Sequence, residues 1–190
     1  MTNGASGASG ESGAAVERTP FLENEIPVIK QAIEISEDVI GDFYRISTSE
    51  WKRFRYDIQS LKDLSEDEVT DCAFAQIRRY ASRPDKRLRG GEPGDYFKIC
   101  LQDHRIRKAV SSDPGVRLLP LATYVVTHEL IHVVRFAKFL HRFHTTDPER
   151  EAEERRVHLL TYQLLAGAKI AGLPEVLGIF EDYRIIESLF

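Results

Sequence analysis

A mainly α fold is what this chain predicts: one helical domain with at most a small β element around residues 96–102. Three observations lead there. Apolar residues recur at i, i+3 and i+4 through most of the chain, the period of an amphipathic helix. Ser47-Thr48-Ser49-Glu50 and Ser65-Glu66-Asp67-Glu68 both fit a capping box, in which a hydroxyl and a carboxylate three residues apart satisfy the first free N–H groups of a helix. Strict alternation occurs once, with Phe97, Ile99 and Leu101 set against Lys98, Cys100 and Gln102, the period of a half-buried strand.

The elements follow in order. Residues 1–19 repeat Gly-Ala-Ser-Gly and carry too little apolar surface to offset the entropy of ordering, which predicts a disordered tail. Residues 20–190 then form a single helical metal-binding domain. From Phe21 the pattern is helical: Pro27 suits a first turn, and Ile29, Ala32, Ile33, Ile35, Val39 and Ile40 recur before Gly41. The first capping box opens a second helix through Trp51, Phe54, Ile58 and Leu61. The second box opens a third, with Val69, Cys72, Ala73, Gln76, Ile77 and Tyr80 as its buried stripe. Arg83 to Asp95 is broken by Pro84, Gly90, Gly91, Pro93 and Gly94 and reads as a solvated loop. Arg105 to Val110 extends the alternating segment as a helical turn. Pro120 starts a long apolar helix running as far as His144, and Asp147-Pro148 restarts the chain with Asp147 as N-cap. That helix carries Val157, Leu160, Leu164 and Leu165 to about Ile170, and a last one takes Val176, Phe180, Tyr183, Ile186 and Leu189.

Composition narrows the partners. The chain has 190 residues, 42% hydrophobic and 29% charged, enough for one real core. A formal net charge of −4 speaks against nucleic acid. Cys72 and Cys100 are too few for a disulfide scaffold or a thiolate zinc site and read as small buried apolar residues in a reducing compartment. No basic stretch precedes an apolar one near the first residues, and the run Leu118–Val134 falls short of a membrane span, so a cytoplasmic protein without membrane contact is expected.

The chemistry lies inside that run. His128-Glu129-Leu130-Ile131-His132 is an H-E-x-x-H motif. Residues i and i+4 share a helical face, so both imidazoles reach one ion. Glu129 sits about a quarter turn away, where it touches a water on the ion without binding the ion itself. Apolar residues from Tyr124 to Leu140 surround the motif, and a buried histidine pair with a carboxylate needs partners that a divalent cation supplies.

A hydrolytic zinc site needs a third protein ligand and an open position. Glu149, Glu151, Glu153 and Glu154 follow in one acidic cluster, then His158. Two antiparallel helices meeting near residue 146 set His132 opposite a residue near 160, about 18 Å from the turn. This favours Glu154 as third ligand, with Glu151 and Glu153 open and Glu149 last; His158 is a fourth ligand or a donor behind the ligands. Arg135 shares the face of His132 and either approaches the site or pairs with one of the cluster glutamates. His104, His141 and His144 read as surface residues.

His128–His132 with the acidic helix downstream resembles the zincin metallopeptidases, in the branch whose third ligand is a glutamate on the following helix. Glu149-Arg150-Glu151-Ala152-Glu153 is similar to the E-x-x-A-D stretch of several zincins, with Glu153 in place of Asp, and that likeness nominates Glu149. The resemblance implies a zincin-like domain, one Zn2+ per chain and a peptide or protein substrate. Under it Glu129 takes a proton from the attacking water, and His158 or Tyr162 serves as oxyanion donor. Zincins lay their substrate along an edge strand, which here falls to Phe97–Leu101. A second class is a helical iron protein using Glu129-x-x-His132 in a two-metal bundle. A third is a domain that the metal merely staples and that acts through partner binding.

Overall fold

The computed structural model describes residues 18–81, 95–138 and 146–183. Among them run helices α1 (Ile26–Tyr44), α2 (Thr48–Trp51), α3 (Asp103–Ser112), α4 (Leu118–Ala137), α5 (Asp147–Leu165) and α6 (Leu173–Ile179). Strands β1 (Tyr56–Gln59), β2 (Ala75–Ala81) and β3 (Asp95–Leu101) form one sheet in the order β1-β3-β2. A mainly α fold with a small β element is therefore what the chain adopts, and α4 is its axis.

α1 supplies the largest partner surface of α4. Ile29, Ala32, Ser36 and Ile40 are its buried stripe at helical spacing. Ser36 is polar in that stripe because it has work there: its hydroxyl bonds Ala32 O (2.8 Å) and receives the Thr127 hydroxyl of α4 (2.9 Å). Gly41 does not end α1, as its sequence context suggests. The helix runs on to Tyr44, and a Cβ at Gly41 would lie 3.2 Å from the Trp51 indole nitrogen, so the glycine permits a close approach of α2.

Both capping boxes exist, yet neither opens a long helix. Ser47 and Glu50 cap a single turn, α2, and the chain then extends into β1. Phe54 and Ile58 fit a helical period and a period of two equally well. Parallel pairing of Tyr56–Gln59 with Phe97–Cys100 decides for the strand. Ser65 and Glu68 likewise cap one 3-10 turn, Glu66–Glu68, and the expected third helix is β2, antiparallel to β3 with Ile77 opposite Ile99. The β element is thus three strands rather than one. β3, expected to be half-buried, is the central strand. Phe97, Ile99 and Leu101 face the helical core, and Cys100 on the other face is buried as well.

Lys98 shares that second face and meets the Glu68 carboxylate at 2.7 and 2.8 Å, while Tyr80 donates to it at 2.5 Å. Burial alone would raise the Glu68 carboxyl; donation from Lys98, Tyr80 and Ser65 outweighs it and holds the group down at about 2.

Further corrections concern the C-terminal half. α4 begins at Leu118, two residues before Pro120, and ends at Ala137 rather than His144. Residues 139–145, including His141 and His144, lie outside the described residues, as do 1–17, 82–94, where most of the loop expected over Arg83 to Asp95 falls, and Ile186 and Leu189. Arg18, placed in the tail by sequence, reaches Glu66 and Asp71. The N-cap of α5 is Thr146, not Asp147, and Glu149 completes its capping box. α5 stops at Leu165, short of Ile170. Pro174 lies in the first turn of α6 behind Gly172 at φ 88°, a conformation suited to glycine. No helix among the described residues is long and apolar enough to cross a membrane.

Candidate metal centre

α4 and α5 pack side by side and open toward a cleft of about 830 Å3. α4 forms its floor with Tyr124, His128, Glu129, His132 and Phe136; α5 forms a wall with Glu153, Glu154 and His158; Phe74, Ala75, Gln76 and Ile77 bring the start of β2 along the other side. Ring stacking holds the floor in place. His132 lies on Phe136 (5.9 Å, 20°), and Phe136 lies on Phe97 of β3 (5.7 Å, 20°).

Three side chains converge at the centre of the cleft. His132 Nε2 is 3.2 Å from His128 Nε2. Glu154 spans both, with Oε2 3.3 Å from His128 Nε2 and Oε1 3.3 Å from His132 Nε2. Ligands held about 2.0–2.2 Å from a zinc ion in tetrahedral array are about 3.3–3.6 Å apart. Two imidazole nitrogens and a carboxylate at that mutual spacing suit one small divalent cation. Burial opposes ionisation of Glu154, but bonding to the two histidines overcomes it and holds the carboxyl well below the usual carboxylate range. Burial pulls the His132 imidazole down, and Glu154 more than reverses this, so the net shift is upward.

The acidic cluster divides its tasks. Glu149 caps α5. Glu151 is exposed beside Arg155, 3.9 Å away. Glu153 is buried and takes Arg135 in a bidentate pair, with Arg135 Nη2 2.8 Å from Glu153 Oε2. Glu154 alone of the four faces the histidines. Depth along the helix pair differs from expectation: the residue opposite His132 is Glu154 rather than one near 160, because α4 ends seven residues earlier than the sequence suggests.

His158, one turn beyond Glu154, also reaches the cluster. Its ring centre is 4.3 Å from that of His128, and one ligand atom each of His128, Glu154 and His158 lie within 4.8 Å of one another. Its Nδ1 is held by the Tyr124 hydroxyl at 2.7 Å. By contrast, the Nδ1 atoms of His128 and His132 are buried with no hydrogen-bond partner among the described residues. Ligating imidazoles usually have that nitrogen held by a carbonyl or carboxylate. This pair is positioned by packing instead.

Glu129 lines the cleft beside the histidines. Burial raises its carboxyl above the ordinary value, against the pull of His128 and His132. Tyr162, an oxyanion candidate by sequence, is exposed and does not line the cleft. Tyr183 does, 5.0 Å from the His158 ring, although its helical spacing marked it only as core. Tyr124 was likewise legible only as part of an apolar wall. His104, read as a surface residue, is buried and bonds Asp71 at 2.8 Å. Cys72, read as buried, is exposed and lines the cleft.

Among the described residues the edge strand along the cleft is β2, not the segment Phe97–Leu101, which is central. Gln102 N–H donates to Phe74 O at 2.8 Å, so by antiparallel alternation Gln76 and Arg78 turn their backbone groups to β3. Ala75 and Ile77 turn theirs outward, and both line the cleft. No family model matches this chain, and neither a curated protein nor a solved structure is significantly similar to it.

Proposed function

We propose that the chain is a zinc-dependent hydrolase acting on peptide bonds, with one ion held by His128, His132 and Glu154. The observation that carries this reading is the spacing of those three ligand groups, 3.2–3.3 Å from one another, at the floor of an open cleft. A bound zinc ion acidifies water and polarises a carbonyl. The chain's own residues do the rest. Glu129 takes a proton from the water attacking the carbonyl carbon and passes it to the amine nitrogen as the C–N bond breaks. His158 and Tyr183 stand on the α5 and α6 side of the cleft, where a donor to the carbonyl oxygen is needed. The outward backbone groups of Ala75 and Ile77 suit an extended peptide. The reading keeps the likeness to the zincins at H-E-x-x-H and a glutamate on the next helix.

A second reading has an observation of its own. If His158 joins His128, His132 and Glu154, four protein side chains surround the ion and no open position remains, as in zinc sites that staple a fold. A two-iron centre is less well supported, since among the described residues that line the cleft only Glu129 and Glu154 are carboxylates not committed to an arginine.

Metal analysis of protein purified without added metal tests the proposal. One zinc per chain is expected, lost in His128→Ala and His132→Ala. Full occupancy in both variants removes the site; two irons per chain replace the reading with the second metal class.

A further inference from the structure

We propose that Arg105 is the residue through which the cleft recognises a carboxylate of its substrate, a chain terminus or an acidic side chain. The inference rests on the peptide-hydrolase reading and names the substrate feature that the cleft selects. Arg105 is the third residue of α3, which follows β3 directly. Its N–H bonds Gln102 O at 2.9 Å, and Gln102 N–H bonds Phe74 O at 2.8 Å, so the side chain starts beside the first residues of β2. It lines the cleft together with Phe74 and Tyr124.

Its place along the cleft follows from β3. Phe97, at the start of that strand, stacks on Phe136 near the C-terminal end of α4. The strand's far end leads into α3, so Arg105 stands toward the Tyr124 end. The ligand histidines lie between the two ends. A substrate stretched over the metal centre thus meets Arg105 on one side of the scissile bond only.

The guanidinium lacks a mate. Arg18, Arg78, Arg107, Arg135 and Arg150 each reach a carboxylate, whereas Arg105 reaches none among the described residues. Its Nε is buried and without a hydrogen-bond partner. The two wall carboxylates of the cleft are engaged elsewhere, Glu153 by Arg135 and Glu154 by the histidines. A guanidinium that lines an open cleft without a carboxylate of its own matches a carboxylate in two parallel bonds, which a point charge cannot imitate. Beside it Tyr124 stacks on Phe180 at 4.0 Å and Phe180 meets Phe74 at 6.1 Å, an aromatic wall for an apolar neighbour of that carboxylate.

Zinc-loaded full-length chain titrated calorimetrically decides the matter. The probes are N-acetylphenylalanine, its primary amide, and the amide of N-acetyl-aspartyl-phenylalanine, each against wild type and Arg105→Gln. At least one carboxylate probe is expected to bind wild type about tenfold or more tighter than the simple amide. Which of the two does so identifies a terminus or a side chain as the source. The preference should vanish in Arg105→Gln with one zinc per chain retained. A preference that survives Arg105→Gln overturns the proposal, since the carboxylate then sits elsewhere in the cleft. Absence of any preference in wild type holding one zinc also overturns it. Failure of wild type to hold zinc refutes the hydrolase reading instead, and the same titration on the metal-free chain still decides the role of Arg105.

Discussion

Arg135 and Glu153 lock α4 against α5 through a buried bidentate pair, adjacent to the point where His132 meets Glu154. A step of one turn back along α4, from His132 to His128, matches a step of one turn forward along α5, from Glu154 to His158. The pair therefore fixes the register in which His128, His132, Glu154 and His158 converge. Tyr44 of α1 lies close enough to the same guanidinium to interact with it, so three helices meet there. Each single substitution, Arg135→Ala or Glu153→Ala, should destabilise the fold by about 3–5 kcal/mol in urea titration, because the remaining charge stays buried without its counter-ion. The double variant Arg135→Met/Glu153→Leu should recover most of that loss. A double variant as unstable as the worse single one would show that packing, not charge, dominates the contact.

Zinc titration against a chelator should rank the acidic cluster. Glu154→Gln is expected to lower affinity by well over 100-fold, beyond the 10–100-fold typical of a residue that only supports a ligand. Glu149→Gln should leave zinc affinity unchanged and cost about 1 kcal/mol of stability through the lost cap. The reverse order would remove Glu154 from the site and restore the ligand that the zincin likeness nominated.

The helical class and the motif helix were legible because α1 carries its own apolar period, α4 a long apolar run around H-E-x-x-H, and α5 a proline in its first turn behind a capping residue. β1 and β2 were not. A capping box specifies only the first turn, and it occurs here in front of strands: Ser47 with Glu50, and Ser65 with Glu68. Beyond that turn, Phe54 and Ile58 satisfy both periods, and only pairing with β3 chooses between them. Helix geometry ranks Glu154 first in the acidic cluster, but with the wrong helix length. The spacing sets a residue near 160 opposite His132, because no local signal in the sequence ends α4 at Ala137. Arg105 and Tyr124 had none either, since a cleft is made by chain segments distant in sequence.

His158→Ala separates an open centre from a closed one. Under the hydrolase reading this variant keeps one zinc per chain with less than about a 100-fold loss of affinity, the ceiling for a group that does not bind the ion. Loss of stoichiometric zinc would make His158 a fourth ligand and favour a stapling role. Tyr124→Phe, which frees His158 Nδ1, should then weaken zinc binding too, and should have little effect on it otherwise.

Acid stability should report Glu68. Its carboxyl is held at about 2 in the fold, so its contribution is fully present above the ordinary carboxylate value of about 4.3 and is lost as pH falls toward 2. Glu68→Gln should cost about 3 kcal/mol at neutral pH by leaving the half-buried Lys98 without its partner. Urea titrations of the two proteins should converge between pH 4 and pH 2. A gap that stays constant over that range would mean the carboxylate charge contributes nothing to stability.

Glu129→Gln bears on the chemistry itself. Glu129 lies next to His128 in sequence and lines the cleft, and burial raises its carboxyl while the two histidines draw it down. Glutamine keeps the volume and can still hydrogen-bond a water, but it cannot accept that water's proton. Zinc affinity should therefore change by less than tenfold, while hydrolysis of a peptide substrate falls by about 100-fold or more, the usual worth of a general base. The contrast with Glu154→Gln is the informative part: one carboxylate removes the ion, the other leaves the ion and removes the reaction. Equal loss of zinc in both variants would make Glu129 a ligand, and the centre would then belong to the carboxylate-rich metal proteins rather than to the hydrolases.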